Sequence, residues 1–182
     1  MNLLVLVAIV AVLAVYVISA YNKGIVLKNY VEEAFSTMDV YMKKRWDLIP
    51  NLMETVRGYM EHEKSTFEQI TNLRNKNYNN MTADEKLDVN KQLGVGLANL
   101  FAVAENYPEL KANENFNNLM DEMSAVENDI ANSRKYYNGT VRELNTYTQI
   151  FPSNIICGMF NIKKASLFEI TGAERENVKV QF

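Results

Sequence analysis

Residues 41–63, YMKKRWDLIPNLMETVRGYMEHE, keep a helical apolar rhythm through a proline and carry a basic triplet just before it. The reading of that proline decides the fold. Inside a helix, Pro50 removes one backbone hydrogen bond and crowds the carbonyl four residues back, at a cost of about 3 kcal/mol. It also pushes Ile49 away from helical angles, and Asp47 just upstream is a local capping acceptor. Against a corner, the stripe passes from Met42 through Trp46 and Ile49 to Met53 without losing phase, as in a kinked helix. Length favours the corner: residues 22–46, 49–76 and 82–106 then form elements of roughly 40 Å that stack side by side. A single helix over residues 22–76 would run about 80 Å with half its stripe unpartnered. The expectation is four helices with a junction near Asp47–Pro50, a kink being the alternative.

The triplet Lys43, Lys44, Arg45 lies about 33 Å along a helix from the end of the N-terminal apolar run, against a Debye length of about 8 Å. It is read as a solvated basic rim near the junction, not as a lipid contact.

Working outward, Val31, Phe35, Met38 and Met42 make one apolar stripe, and Ile49, Met53, Val56, Met60, Phe67 and Ile70 the next. A third element opens with Thr82 and has Glu85 three residues later, a capping box in which each side chain accepts from the other's free amide. Gly94 and Gly96 sit inside it, each costing on the order of 1 kcal/mol against Ala; close helix packing is the expected reason. Pro108 suits a helix start because a first-turn residue needs no amide. From Phe116 to Phe151 apolar residues recur at steps of three and four, the pattern of a long amphipathic helix, which Pro152 closes. The remaining segment, residues 153–182, loses the repeat, and NIICGMF and VKVQF read as extended.

The N-terminus, MNLLVLVAIVAVLAVYVISAYNKG, has no charge from Leu3 to Ala20. Eighteen helical residues span about 27 Å, close to the hydrocarbon thickness of a bilayer. Tyr21 stands where an interfacial aromatic is expected, with Lys23 beyond it. A cleaved leader ending at Ala20 is the alternative. The lack of Lys or Arg before the run, and the length of the run, favour a retained anchor. Lys23 and Lys28 then put the short N-terminus outside and the bulk of the chain in the cytoplasm.

The chain has 182 residues, 23 % charged and 48 % hydrophobic, with a net charge of −3, the balance of an ordered protein. No basic face points to nucleic acid. The single cysteine, Cys157, allows no internal disulfide and has apolar neighbours, which raise a thiol's pKa and make it inert. The single histidine, His62, is followed by Glu63 but has Thr66 where a zinc-protease motif needs a second ligand. Glu61 and Glu63, like Asp121 and Glu122, do not share a helix face. No phosphate loop or nucleophile elbow is present. Catalytic, cofactor-binding and metal residues are therefore all expected to be none. Tyr107, Tyr136, Tyr137 and Tyr147 are read as rimming the core with wet hydroxyls, a docking surface being the alternative.

At this point the residues carry a resemblance. KKRWDLIPNLMETVRGYMEHE, AENYPELKANENFNNLMDEM and VENDIANSRKYYNGTVRELNTYTQIFPSNII, in that order, resemble the signature blocks of the LemA family. The resemblance implies a bacterial-type protein with a short external N-terminus, one anchor and a cytoplasmic four-helix bundle. It carries no enzymatic activity, because the family's molecular function is itself uncertain.

The expected architecture is all-α: a single transmembrane anchor over residues 1–21, an up-and-down four-helix bundle over 22–152, and a short irregular or extended C-terminal tail over 153–182. The expected role is a membrane-anchored scaffold or adaptor that recruits or regulates other membrane proteins, not an enzyme. The alternative is a membrane-shaping or lipid-surface-binding module. Expected partners are the lipid bilayer through residues 3–20 and a membrane protein, with no nucleic acid, small-molecule substrate or cofactor.

Overall fold

In the computed structural model, α1 is a 55-residue helix, Leu3–Arg57, that passes through Pro50 without a break. The structure describes residues 3–59 and 64–168, the last element being irregular chain; for 64–66 only the backbone is described. The junction expected near Asp47–Pro50 is not there, and α1 ends at Arg57. Two facts explain this. Pro50 is itself exposed, so its ring displaces no packed side chain. The stripe beside it, Trp46, Ile49, Leu52 and Val56, is buried throughout. Keeping such side chains in register stabilises by about 1.5–3 kcal/mol each, which together exceeds the cost of an interior proline. Leu52 takes the inward place expected of Met53, which is half-buried, and Ala34 takes that of Phe35.

The other helices are α2, Lys64–Arg74; α3, Ala83–Ala104; α4, Pro108–Lys111; α5, Glu114–Tyr147; and α6, Ser153–Met159, with a 3₁₀ turn at Tyr78–Asn80. The described residues contain no strand. The helix expected over 49–76 is thus divided between the end of α1 and α2. Gly58, a poor helix former, stands at the first position after α1. The capping box of α3 is formed: Thr82 Oγ1 accepts from the Glu85 amide, and the Glu85 carboxylate accepts from the Thr82 amide. Pro108 starts only the single turn of α4. The long helix restarts because Asn113 Oδ1 accepts from the Phe116 amide at 3.1 Å, an N-cap bond. At its far end α5 stops at Tyr147, whose carbonyl accepts from Ser153 Oγ at 2.7 Å.

The extended reading of NIICGMF is overturned, since residues 153–159 are helical. Ile155 and Ile156 favour strand locally, but a lone strand leaves its backbone groups unpaired, whereas a helix turn satisfies its own. VKVQF lies outside the described residues.

The chain divides into two compact units. The first joins α1 as far as Ser36 with Arg134–Leu167. Within it α1 and α5 run antiparallel, since the Tyr147 hydroxyl donates to the Ala20 carbonyl at 2.9 Å and the Phe35 and Tyr137 rings meet edge-on at 5.9 Å. The irregular chain after α6 lies along α5: the Asn145 amide both donates to Ala165 O and accepts from Ala165 N, each at 2.9 Å. Residues 3–19 of α1 are exposed, Leu4 at 81 %, apart from half-buried Val17. Burial begins at Ala20 and then follows Gly24, Leu27, Val31 and Ala34. This long, apolar, uncovered N-terminal helix is compatible with a membrane anchor.

The second unit comprises Thr37–Ser133 together with Phe168, the last described residue. Its core includes Met38, Met42, Trp46 and Ile49 of α1, Leu93, Leu97 and Leu100 of α3, and Phe116, Met123 and Val126 of α5. α2 packs on α3 across Gly96, where an added Cβ would stand 3.2 Å from Ile70 Cγ1. Close packing does explain that glycine; Gly94 instead faces Arg45 Nη1 at a looser 3.6 Å.

Candidate functional site

Polar chemistry in the second unit converges on α1 between Asp39 and Asp47. Arg45 is 2 % exposed. Its guanidinium donates through Nη2 to both the backbone carbonyl and the side-chain oxygen of Asn90 on α3, and through Nη1 to Glu127 on α5. One side chain therefore fastens three helices. Arginine suits this position, because its fixed fork of donors reaches two directions at once. Nε is buried and has no partner among the described residues.

The expectation of a solvated basic rim is overturned for Arg45. Its neighbours do stay at the surface, but neither is free: Lys43 donates to Asp47 at 2.5 and 2.6 Å, and Lys44 pairs with Glu122 of α5 at 3.4 Å. At helical spacing three consecutive residues point in three directions about 100° apart, so a triplet cannot share one environment. Arg45 falls next to Trp46 on the inward side.

A second cluster lies one and a half turns earlier. Asp39 accepts from the Tyr78 hydroxyl at 2.7 Å and from Lys86 Nζ at 2.5 Å. Burial, then the bond to Asp39, pushes the Tyr78 hydroxyl far above its ordinary pKa, so it is a permanent donor. The Trp46 ring stands 5.1 Å from the Tyr78 ring and is covered on another side by the Arg74 guanidinium at 4.9 Å. These arrangements hold helices together; they offer no activated nucleophile or base.

The open surface of this unit has a groove of about 380 Å³ between α1 and the start of α5. Asn51, Glu54 and Thr55 line one wall, Asn115, Asn118 and Glu122 the other. Amides donate and accept, so such a lining fits polar backbone or side-chain groups of a partner.

The sequence matches the LemA family over residues 34–182. The chain belongs to the LemA family. All three signature blocks fall inside the matched residues, while the apolar run of residues 3–20 precedes them. The chain is also similar to Protein LemA of Metamycoplasma hominis, 24 % identical over 153 residues, which are 83 % of this chain and 69 % of that protein.

The other residues singled out in this LemA chain are placed as follows. His62, Glu61 and Glu63 lie outside the described residues. Among those described, no group of three His, Cys, Asp or Glu side chains is arranged to hold a metal ion. Cys157 is buried, and burial pushes its thiol above the ordinary range. Of the four tyrosines, Tyr107 is half-buried in the second unit and the other three belong to the first, where they differ in exposure. Tyr137 is buried and donates to Ser166 O at 2.8 Å, Tyr147 donates to Ala20 O, and Tyr136 is exposed. Two of the hydroxyls expected to be wet are thus bonded to carbonyls of neighbouring chain.

Sequence reasoning missed Asn90 and Glu127 as partners of Arg45. The signal for Arg45 itself was present: it precedes Trp46 in a stripe that returns at Ile49, so it borders the buried face.

Proposed function

We propose that this LemA-family protein is a membrane-tethered helical scaffold, which recruits or regulates other membrane proteins and is not itself an enzyme. One observation carries the reading: an apolar, uncovered segment, residues 3–19, continues without a break into a helix whose buried stripe organises the rest of the chain. A segment of that length and composition is stable in a bilayer and costly in water. With residues 3–20 in the lipid, Lys23 and Lys28 on the following turns favour a cytoplasmic body and an external N-terminus. Helix directions in the second unit support an up-and-down bundle. Asp39 to Lys86 and Arg45 to Asn90 set α3 parallel to α1, while Arg45 to Glu127 and Tyr59 to Asn113 set α5 antiparallel.

In this reading the amide-lined groove is where the partner docks. A photo-crosslinking residue placed at Asn51 or Asn118 in native membranes is expected to give one reproducible adduct with a membrane protein, and the same residue at exposed Lys91 none. Recovery of the uncrosslinked chain alone from both groove positions would overturn the proposal. A lipid-surface-binding role is the second reading, favoured by the exposed apolar side chains between Ile150 and Phe160.

A further inference from the structure

The first unit carries an apolar surface that its own packing does not use. α6 and the turn before it have two apolar faces. Inward, Ile156 and Cys157 are buried, with Ile162 following. Outward, Ile150, Phe151, Ile155, Met159 and Phe160 are all exposed, Phe151 at 79 % and Met159 at 71 %. No charged residue stands between Glu143 and Lys163. A short segment that is apolar on both faces, with Asn154 as its one exposed polar side chain, belongs in a core or in lipid.

Where this segment sits tells which. Its contacts converge on the point where the apolar run of α1 ends. Tyr147 donates to the carbonyl of Ala20, the last residue of that run. Phe160 packs against Tyr21 with its ring tilted and the centroids 4.7 Å apart. Ile162 presses on Gly24 so closely that an added Cβ would stand 2.6 Å from its Cδ1. Since α5 runs antiparallel to α1 here, the chain leaving Tyr147 travels toward the anchor end before it turns. Around it stand the groups that prefer a headgroup layer: Tyr21, Lys23 over the Tyr147 ring at 5.6 Å, and the exposed pair Lys163 and Lys164.

We propose that residues 150–160 form a lipid-inserting foot, a second membrane contact beside the anchor. Ile150, Phe151, Ile155, Met159 and Phe160 enter the boundary between headgroups and acyl chains, and Lys163 and Lys164 face the phosphates of anionic lipid. The occupant is the bilayer rather than another protein. The patch is continuous with the anchor's end, and its only flanking charges on the C-terminal side are basic, as an anionic lipid surface requires. The foot rests on the reading that residues 3–20 span the bilayer. It goes beyond that reading by fixing the first unit against the membrane surface, so that the chain is held at two places and not hung from one.

The test uses the full chain in vesicles of phosphatidylcholine and phosphatidylglycerol, with Cys157→Ala and single environment-sensitive labels at Phe151→Cys, Ile155→Cys or Met159→Cys. Labels at Val12→Cys in the anchor and at Lys91→Cys, exposed on α3, serve as references. The three foot labels are expected to shift to the blue and to be quenched at least twofold more by spin labels near the headgroup than by deep ones. Val12→Cys should show the opposite depth preference, and Lys91→Cys no quenching. A quenched Val12→Cys with foot labels that remain in water overturns the foot and leaves the anchor reading standing. An unquenched Val12→Cys overturns both. Foot labels that are shielded without lipid quenching, in a way that fades as protein is diluted into excess lipid, mean that a second copy covers the patch, which also overturns the proposal. The labelled side chains are exposed, so folding is unaffected by their replacement; replacing Lys163 and Lys164 together by Gln should weaken headgroup quenching and make it insensitive to salt.

Discussion

Removing Arg45 is expected to be among the most destabilising single changes in the second unit, and the structure says why. Arg45→Met keeps most of the length and apolar stem but deletes every donor. The Asn90 side-chain oxygen then loses its guanidinium partner inside a residue that is 3 % exposed, while its backbone carbonyl, in the middle of α3, keeps its helical bond. A buried acceptor left unsatisfied costs about 1–3 kcal/mol. Glu127 contributes less, because its side chain is 41 % exposed and is rehydrated when freed. The expected loss is about 2–4 kcal/mol for Arg45→Met and about 3–5 for Arg45→Ala, which adds a cavity. Glu127→Gln should cost about 1 kcal/mol. Arg45→Lys should fall between, since one ammonium cannot reproduce a fork that serves α3 and α5 together. The assay is built into the chain. Trp46 is the single tryptophan, buried next to Arg45 between Tyr78 and Arg74, so its emission reports unfolding of this unit in urea. Apolar replacement of a buried charge is neutral or stabilising in some proteins. If Arg45→Met unfolds at the wild-type midpoint or above, the Asn90 side-chain oxygen does not need the guanidinium and the clamp is not what fastens the three helices.

Pro50→Ala should stabilise the second unit by about 1–2 kcal/mol, because it restores a hydrogen bond in a continuous helix where Pro is about 3 kcal/mol worse than Ala and part is returned through the freer unfolded chain; a lower urea midpoint would revive the corner. Gly94→Ala should stabilise by about 0.5–1 kcal/mol, its new Cβ meeting Arg45 at ordinary contact distance, whereas Gly96→Leu should destabilise by about 1–3 kcal/mol because Ile70 already fills that space. Equal responses at the two glycines in urea melts would contradict the packing described. Tyr78 has its pKa raised in the folded state, so its contribution is fully present below the ordinary tyrosine value of about 10 and is lost as pH rises through the raised one. Tyr78→Phe should therefore lower stability at pH 7 yet flatten its fall between pH 9 and 11; an unchanged alkaline slope in the variant would refute the assignment.

How far the fold could be read from the sequence depends on which force dominates at each residue. The all-helical class followed from the spacing of apolar residues, and burial along α5 at Phe116, Met123, Val126, Ile130, Tyr137, Val141 and Leu144 obeys it. The start of α3 was legible because a capping box is a local device whose two partners are three residues apart. The ends of α1 and α5 were not. There the strongest local signals, Pro50 and Pro152, compete with distant packing, and the proline lost to the buried stripe in one case and to a side-chain cap from Ser153 in the other. Asn113 was a legible start signal that Pro108 overshadowed. Arg45 shows the limit of reading charge by composition: a triplet of basic residues counts as one feature in a sequence, but its members face different surroundings on a helix. Its partners, Asn90 and Glu127, lie 45 and 82 residues away, and no local pattern announces them.

The length argument for a corner failed for a reason that bears on function. It supposed that every buried stripe must find its partner within one stack of equal helices, so a long α1 looked half bare. The stripe of α1 is instead served in turn, first by residues after Arg134 and then by those between Thr37 and Ser133. Among the described residues of α1, those left uncovered as a run are the ones before Ala20, Val17 apart, and these are the ones suited to lipid. A helix that is uncovered where it is wholly apolar and covered wherever it is amphipathic has no defect to explain. Pro50 is tolerated because its exposed side carries no packing, and the same continuity ties the position of Ala20, Tyr21 and Gly24 to that of α6. The uncovered apolar run and the rest of the first unit are therefore parts of one helical register, and under the proposal above this sets an apolar foot beside Tyr21 at the depth of the membrane surface.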